Sequence, residues 1–434
     1  VEWNIYSAVP VAARSGNQGP MLALIAQDSE KTWGPHDFKD MPFQAVLKAK
    51  HFAMFPSGEI KLFRKYRRQP NQGGDTMAWY ADLPPAEEAS WMYPPRGTQH
   101  ACLTFGILNA SYHLLKNFTS CHNPSTLPPK GAQYGLTLCY TIPPVHDPKH
   151  AEYSGFAGIP QSLLYHLRHG VDQVVLYLNV DYREHALALL RPFTKRRKCT
   201  IIFLDSQSSP HQALNNESSK HDYRTYDLGF GNWVFVENYM HNDCLNRFRG
   251  RTRFLVNMGY DEFIYAPDWQ LSPDWAASSR SLHDALQPLS TNSCINDFTI
   301  ALSYTWFKPA DPTRELLLNT TEHYEDQRRG FTMRSFVKPD CVSSVWVHLP
   351  MDCFGRRCNE LKKPLLEFAH IRALRKEKGA SRQYMALEEE ENANMTVVSD
   401  TLFTDELALL TPELCRWMQE AGFGCQPWQW FPKS

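Results

Sequence analysis

Three short, almost uninterrupted apolar runs lie between residues 172 and 258: Asp172–Asn179 (DQVVLYLN), Cys199–Leu204 (CTIIFL) and Arg253–Met258 (RFLVNM). Runs of this length without polar alternation are what strands covered on both faces show, the condition of a parallel sheet clad with helices. Tyr134–Ile142 reads as a further strand ahead of them. The intervals have helical spacing. Ile159–Arg168 ends at Gly170, a natural C-cap, Arg183–Phe193 is Ala/Leu-rich and stops near Pro192, and Phe235–Phe248 is a third helix. Strand and helix in strict alternation predict an α/β fold with a doubly wound, mostly parallel sheet. Right-handed crossovers then place all four strand carboxyl ends on one edge, where ligands bind.

The flanks have a different rhythm. Residues 1–126 read as a β-rich N-terminal region: Trp3–Val9, Met21–Ala26, Phe43–Phe55 and Glu59–Tyr66 are short apolar or alternating runs, and Pro56-Ser57-Gly58 is a hairpin turn. Asn123–Lys130 carries three prolines and no periodicity, as a linker does. Residues 127–380 form the α/β domain. Residues 381–434 are a C-terminal helical extension, with helices predicted over Thr404–Leu410 and Pro412–Ala421. Thr411 would cap the second, with Pro412 in its first turn and Gly422 after its end.

Composition narrows the compartment and the partners. A formal net charge of −1 over 434 residues provides no field toward nucleic acid, so no nucleic-acid partner is expected. Eleven cysteines without metal-type spacing fit disulfides plus at least one free thiol. Five acceptor sequons begin at Asn109, Asn117, Asn216, Asn319 and Asn394, and together with the cysteines they favour the secretory lumen. No stretch is long and apolar enough to cross a bilayer. The chain starts at Val1, and a membrane anchor upstream of it is expected.

The chemistry concentrates where the last apolar run meets Gly259-Tyr-Asp261-Glu262-Phe263. Carboxylates at a strand's carboxyl end are costly to hold unless solvated, paired or on a metal, and hard divalent cations take one or two carboxylates plus phosphate oxygens. Upstream, Asp243 and Arg247 stand at i and i+4, a spacing that a simple helix ion pair also explains.

Asn242-Asp243-Cys244-Leu245, a basic stretch, a hydrophobic strand and then Asp261-Glu262-Phe263 resemble the core signature of glycosyltransferase family 92. Tyr6-Ser7-Ala8, Leu164–Val171, Val174–Asn179, Val337-Lys-Pro339 with Val347-His348, and Ala369-His370-Ile-Arg372 are similar to other family pieces in the same order. The resemblance implies an inverting enzyme of GT-A-like fold, a type II membrane protein of the Golgi lumen. It would transfer galactose from UDP-galactose in β1,4 linkage to galactose or core fucose of N-glycans, with Mn2+ or Mg2+ as cofactor. Carried onto this chain, Asp261 is the second carboxylate of an Asp-x-Asp element and holds the metal with His370. Asn179, Asp243, Arg247, Gly259 and His348 line the nucleotide-sugar site. The chain departs from the pattern at Gly259, which stands at the first Asp position. Either Asp261 with a histidine suffices, or metal dependence is weakened, or activity has been lost; the first is favoured.

The general base is not singled out by pattern; Asp297 and Asp352 are the candidates. Trp306 and Trp269 are candidates for stacking on an acceptor sugar, though aromatics are more often core residues. Two other classes compete: a catalytically inactive glycan-binding glycoprotein on a retired transferase fold, for which Gly259 speaks, and a metal-dependent hydrolase, which would need a His-rich ligand cluster that the sequence lacks.

Overall fold

The computed structural model of the protein describes residues 4–11, 20–27, 50–65, 76–95, 97–122, 127, 134–141, 158–179, 183–204, 239–265, 282–290, 298–310, 322–324, 334–345, 350–354, 359–361, 366–373, 397–399 and 402–430. The N-terminal strands form two antiparallel sheets. β1 (Asn4–Val11), β2 (Met21–Gln27), β5 (Arg64–Lys65) and β6 (Thr76–Asp82) pair in the order β1-β2-β6-β5. β3 (Phe52–Met54), β4 (Ile60–Leu62), β7 (Ala101–Leu108) and β8 (Leu114–His122) pair as β4-β3-β7-β8.

Strand alternation decides what each face of the first sheet touches. Leu22, Leu24 and Trp79 pack with Phe105 and Ile107 of the second sheet. Val9, Ala23, Ile25 and Tyr80 point the other way, into a core shared with the α/β sheet. The segment expected as one strand over 59–66 is split. Phe63 turns into the sandwich core, 4% exposed, and its N–H bonds to His51 O at 2.9 Å, so β4 joins one sheet and β5 the other. Gly58, at φ 85°, closes the predicted turn between β3 and β4. A short turn, α1 (Pro85–Glu87), leads on to the buried Trp91.

In the larger sheet β9 (Tyr134–Thr141), β10 (Gln173–Asn179), β11 (Cys199–Leu204) and β12 (Thr252–Met258) are parallel, in the order β11-β10-β9-β12. β16 (Arg334–Val337) and β14 (Phe298–Ala310) follow, β16 running antiparallel to both neighbours. β13 (Glu262–Tyr265), β15 (Glu322–Tyr324), β19 (Asn359–Leu361), β20 (Glu367–Ala373) and β21 (Val397–Ser399) complete a mixed sheet with 11 strands among the described residues. β17 (Ser344–Val345) and β18 (Pro350–Asp352) form a separate pair.

The parallel strands are covered on both faces. On one side lie α2 (Gly158–Arg168), α3 (Arg183–Leu189), α4 (Arg191–Lys195) and α7 (Leu402–Glu420), whose Leu163, Leu189, Phe193 and Trp417 meet Leu138, Leu176 and Val256. On the other lie α5 (residues 239–248) and the first N-terminal sheet, against Val175, Tyr177 and Leu255. α6 (Leu282–Ser290) follows β13 and adds Leu282 and Leu286 to the first of these cores.

Two helix expectations change. Residues 183–193 form α3 and α4, because Pro192 cannot donate to a continuing ladder but suits the first turn of a new helix. The two C-terminal helices are a single one, α7, with Pro412 inside it. Pro412 leaves the Ala408 carbonyl without its helical donor, and Ala408 is exposed, so water can serve it. Thr411 Oγ1 donates back to Leu407 O at 2.6 Å.

Cys102–Cys121, Cys139–Cys244 and Cys415–Cys425 are disulfides, and Cys341 and Cys353 are also disulfide-bonded. Cys199 is a buried free thiol, its pKa pushed up by burial. No helix among the described residues is long and apolar enough to cross a membrane.

Asp172, just ahead of β10, ties α6 to the start of β9. It accepts from the N–H groups of Gly135 at 2.6 Å and Leu136 at 3.0 Å, and His283 Nε2 lies 3.2 Å away. A Cβ on Gly135 would stand 2.1 Å from the His283 ring, so this contact requires glycine. The hydrogen bond to Asp172 raises the His283 pKa above its ordinary 6.5. A raised folded pKa gives stability that is complete below pH 6.5 and lost as pH rises through the folded value. With both side chains partly exposed the effect stays under about 1 kcal/mol. Urea melts from pH 5.5 to 8.5 should therefore show His283→Gln and Gly135→Ala losing the same pH-dependent increment.

Candidate active site

Helix α5 carries the Asn242-Asp243-Cys244 motif, and each of its three side chains reaches a different partner. The Asn242 side-chain amide exchanges two hydrogen bonds with the Val345 backbone, Nδ2 to O at 2.8 Å and N to Oδ1 at 3.1 Å. Asp243 Oδ2 accepts from Tyr177 Oη of β10 at 2.6 Å and from Arg247 Nε at 2.5 Å. Cys244 is disulfide-bonded to Cys139 of β9. One turn on, the fully buried Arg249 donates to the carbonyls of Pro339 and Val342 and to Tyr80 Oη of the N-terminal sheet. Asp243 is 0% exposed and Arg247 9%, so the i, i+4 pair is an internal clamp between helix and sheet. The carboxylate lies beneath the sheet's carboxyl half rather than at its lip.

The lip is built by the turn from β12 to β13. Glu262 is 1% exposed, and its carboxylate takes Arg334 Nε and Nη2 of β16 at 2.9 to 3.1 Å. Its Oε2 also accepts from Gly259 N at 2.7 Å, which fixes the turn's shape. Asp261, between the buried Tyr260 and Glu262, is half-buried. A Cβ on Gly259 would stand 2.6 Å from Asp261 Oδ1, so the Asp261 carboxylate lies over the bare glycine backbone. An aspartate at 259 could be accommodated only by moving Asp261.

β13 is paired on one edge by β20, and among the described residues side chains of α2 bond its other edge. Ile264 N donates to His166 Nε2 at 3.3 Å, and Ile264 O accepts from Tyr165 Oη at 2.9 Å. With Nε2 accepting, the His166 proton resides on Nδ1, 2.8 Å from Ser162 O. Burial pushes the His166 pKa down to about 3, so the ring stays neutral and the tautomer holds.

Around this turn the sheet register gathers several of the expected residues. His370 on β20 stands opposite Glu262, one position beyond Asp261, and Trp306 on β14 is aligned with His370. Asn179 ends β10 on the same edge, two strands from β12, a lateral distance of about 10 Å. Asp352 on β18 pairs with Ser344, next to the Val345 that Asn242 holds. Asp297, His348 and Trp269 lie outside the described residues, as do the sequon residues Asn216, Asn319 and Asn394; Asn109 and Asn117 are described. Among the described residues no group of three or more His, Cys, Asp or Glu converges as a metal site.

Sequence reasoning passed over Arg334, His166 and Asn257. Nothing in the local pattern marks Arg334 as the partner of a glutamate 72 positions away. Asn257, 7% exposed and two residues before Gly259, leaves Oδ1 without a hydrogen-bond partner, an acceptor that a bound ligand could satisfy. A polar residue inside an otherwise apolar strand was the signal. A small cleft lined by Pro10, Met92, Tyr93, Leu127, Arg247 and Arg251 lies beside the turn that leads into β12, the opposite end of that strand from Asp261.

A mixed sheet with helices on its parallel half places the acidic turn at the carboxyl edge, where open α/β sheets bind their ligands. The sequence model of glycosyltransferase family 92 matches residues 151–404, more than half of the chain, and the chain belongs to that family. Among solved structures, mouse xyloside xylosyltransferase 1 in its apo form is similar at 14% identity over 48% of this chain and 68% of that one. Its TM-score of 0.24 is too low to carry any argument. No curated protein sequence matches.

Glu262→Gln should destabilise the chain by about 3–5 kcal/mol in urea unfolding, because Arg334 would keep a buried charge without its counter-ion. His166→Leu, which strands the Ile264 N–H, should cost about 1–3 kcal/mol in the same assay. A loss below about 1 kcal/mol in both would mean that the turn is not held as described.

Proposed function

We propose that this chain is an inverting galactosyltransferase of GT-A-like fold. It transfers galactose from UDP-galactose in β1,4 linkage onto a galactose or fucose residue of N-glycans, in the Golgi lumen. Family membership supports sugar transfer from a nucleotide donor to a glycan. The choice of galactose, linkage and acceptor rests on the resemblance of the ordered motifs. The observation that carries the site assignment is the β12–β13 turn. Glu262 is committed to Arg334, which leaves Asp261 as the half-buried carboxylate of the turn, one position before the Glu262 that His370 faces across the β13–β20 register.

One carboxylate and one imidazole fit a Mn2+- or Mg2+-type ion that takes its remaining oxygens from a diphosphate. When bound, such a cation neutralises charge developing on the leaving diphosphate. The chain's own groups orient the reactants. In this reading Asn179, Asn257 and His348 are assigned to the donor, and Trp306 and Trp269 to the acceptor ring. Asp352 or Asp297 takes the acceptor hydroxyl's proton as that oxygen attacks the anomeric carbon and the diphosphate departs. Asp243 and Arg247 act through their hold on α5, since Asp243 accepts from both Arg247 and Tyr177.

Gly259 favours one second reading, a non-catalytic glycan-binding protein on the same fold. Purified chain incubated with each UDP- and GDP-sugar, Mn2+ and mixed N-glycans should add a hexose from UDP-galactose only, read by mass shift. Asp261→Asn should abolish transfer while leaving the melting curve unchanged. Full activity in that variant removes the metal assignment, and absence of UDP binding at millimolar concentration in calorimetry would favour the non-catalytic protein.

A further inference from the structure

The outer face of the second N-terminal sheet is apolar and open. Register aligns Leu62, Phe52, Leu108 and Leu114 in one row across β4, β3, β7 and β8, and Ile60, Met54, Gly106 and Asn117 in the next. Leu62 is 40% exposed, Ile60 43%, Leu114 50% and Tyr112 58%, and the Tyr112 ring stacks on Phe52 at 4.7 Å. A contiguous patch of this kind on a folded surface calls for something that covers it.

Asn117 lies within that face. It is exposed and heads the sequon Asn117-Phe118-Thr119, and strand alternation sends Phe118 into the sandwich core while Asn117 and Thr119 point outward. Opposite it, Gly106 leaves a floor without a side chain: a Cβ there would meet Leu114 Cδ1 at 2.8 Å, Met54 Cε at 3.1 Å and Asn117 Oδ1 at 3.4 Å. Thr119 Oγ1 is 2.8 Å from Thr104 Oγ1 in the next row. Beyond that, Cys102–Cys121 joins the same two strands and marks an oxidising compartment, where sequons are modified. By contrast, Asn109 is engaged in the β7–β8 turn, its Oδ1 accepting from Ser111 N and His113 N at 2.9 and 3.0 Å.

We propose that Asn117 carries an N-linked glycan whose first sugar residues lie over Phe52, Met54, Tyr112 and Leu114, covering this face from within the same chain. In the modification, the Asn117 amide nitrogen displaces the diphosphate of a lipid-diphosphate oligosaccharide. The new nitrogen–carbon bond replaces the carbon–oxygen bond at the anomeric centre, and the lost amide proton leaves with the lipid diphosphate. The C–H faces of the proximal sugars cover the rings and leucines, and their hydroxyls face water. The edge strand β8 is shielded at the same time.

The test is made on the full chain expressed through a secretory pathway. Enzymatic deglycosylation in heavy-oxygen water followed by peptide mass spectrometry should convert Asn117 to labelled aspartate. Glycan removal from the folded protein, and separately Asn117→Gln, should raise binding of a hydrophobic dye several-fold and produce concentration-dependent association in sedimentation. Adding Leu62→Thr and Leu114→Thr to Asn117→Gln should reverse both. An unmodified Asn117 peptide would overturn the proposal. So would unchanged dye binding after deglycosylation of a protein that still melts cooperatively. Self-association of the fully glycosylated chain through this face would assign the patch to a second copy instead.

Discussion

The anchoring of helix α5 is the constraint on which the rest of the architecture depends. The Cys139–Cys244 disulfide fixes it to the central strand β9 across 105 residues of chain, a loop long enough that closure stabilises by about 4–5 kcal/mol in the chain-entropy account. Asp243 and Tyr177 add a second point of attachment on β10. Asn242 and Arg249 bind the 339–345 segment, and Arg249 reaches Tyr80 of the N-terminal sheet. One helix therefore sets the position of three layers. The buried Asp243 is tolerable there because it is paired with Arg247 and Tyr177, and Arg249 because its two Nη groups donate to the carbonyls of Pro339 and Val342 and to Tyr80 Oη.

The acidic turn depends on a second set of buried polar contacts. Glu262 and Arg334 join β13 to β16, and His166 and Tyr165 close the open edge of β13. Both sets are made of groups that would be costly to bury singly and are inexpensive when satisfied. Asp261 differs from its neighbours in being left partly in contact with solvent at the edge of the sheet. A half-buried carboxylate held in a rigid surround at a sheet edge is preorganised to meet a ligand.

The N-terminal strands extend the same logic outward. Their first sheet is apolar on both faces, one against Phe105 and its neighbours and one against the core beneath α5, so it serves as the middle layer of the molecule. Among the described residues, the second sheet is covered on one face. The two N-terminal sheets thus differ in kind: one is part of the interior, and the other is a surface with its own requirements.

Much of this was legible in the sequence because it follows from local periodicity. Nearly continuous apolar runs at Asp172–Asn179, Cys199–Leu204 and Arg253–Met258 point to buried strands, and the helices between them follow from the 3.6 period. The family's ordered motifs also survive at the level of residue identity. What only the tertiary structure decided are pairings between residues far apart in the chain. The sequence cannot tell that Glu262 meets Arg334, that Cys139 meets Cys244, or that Asp243 spends its oxygens on Tyr177 and Arg247 beneath the sheet, because a helix ion pair and a ligand site share the same i, i+4 spacing. Nor does local pattern show that Phe63 breaks one predicted strand into two sheets, or that Pro412 sits inside a continuous α7. In each case the energy that decides comes from packing against a distant element, and periodicity carries no record of which element that is.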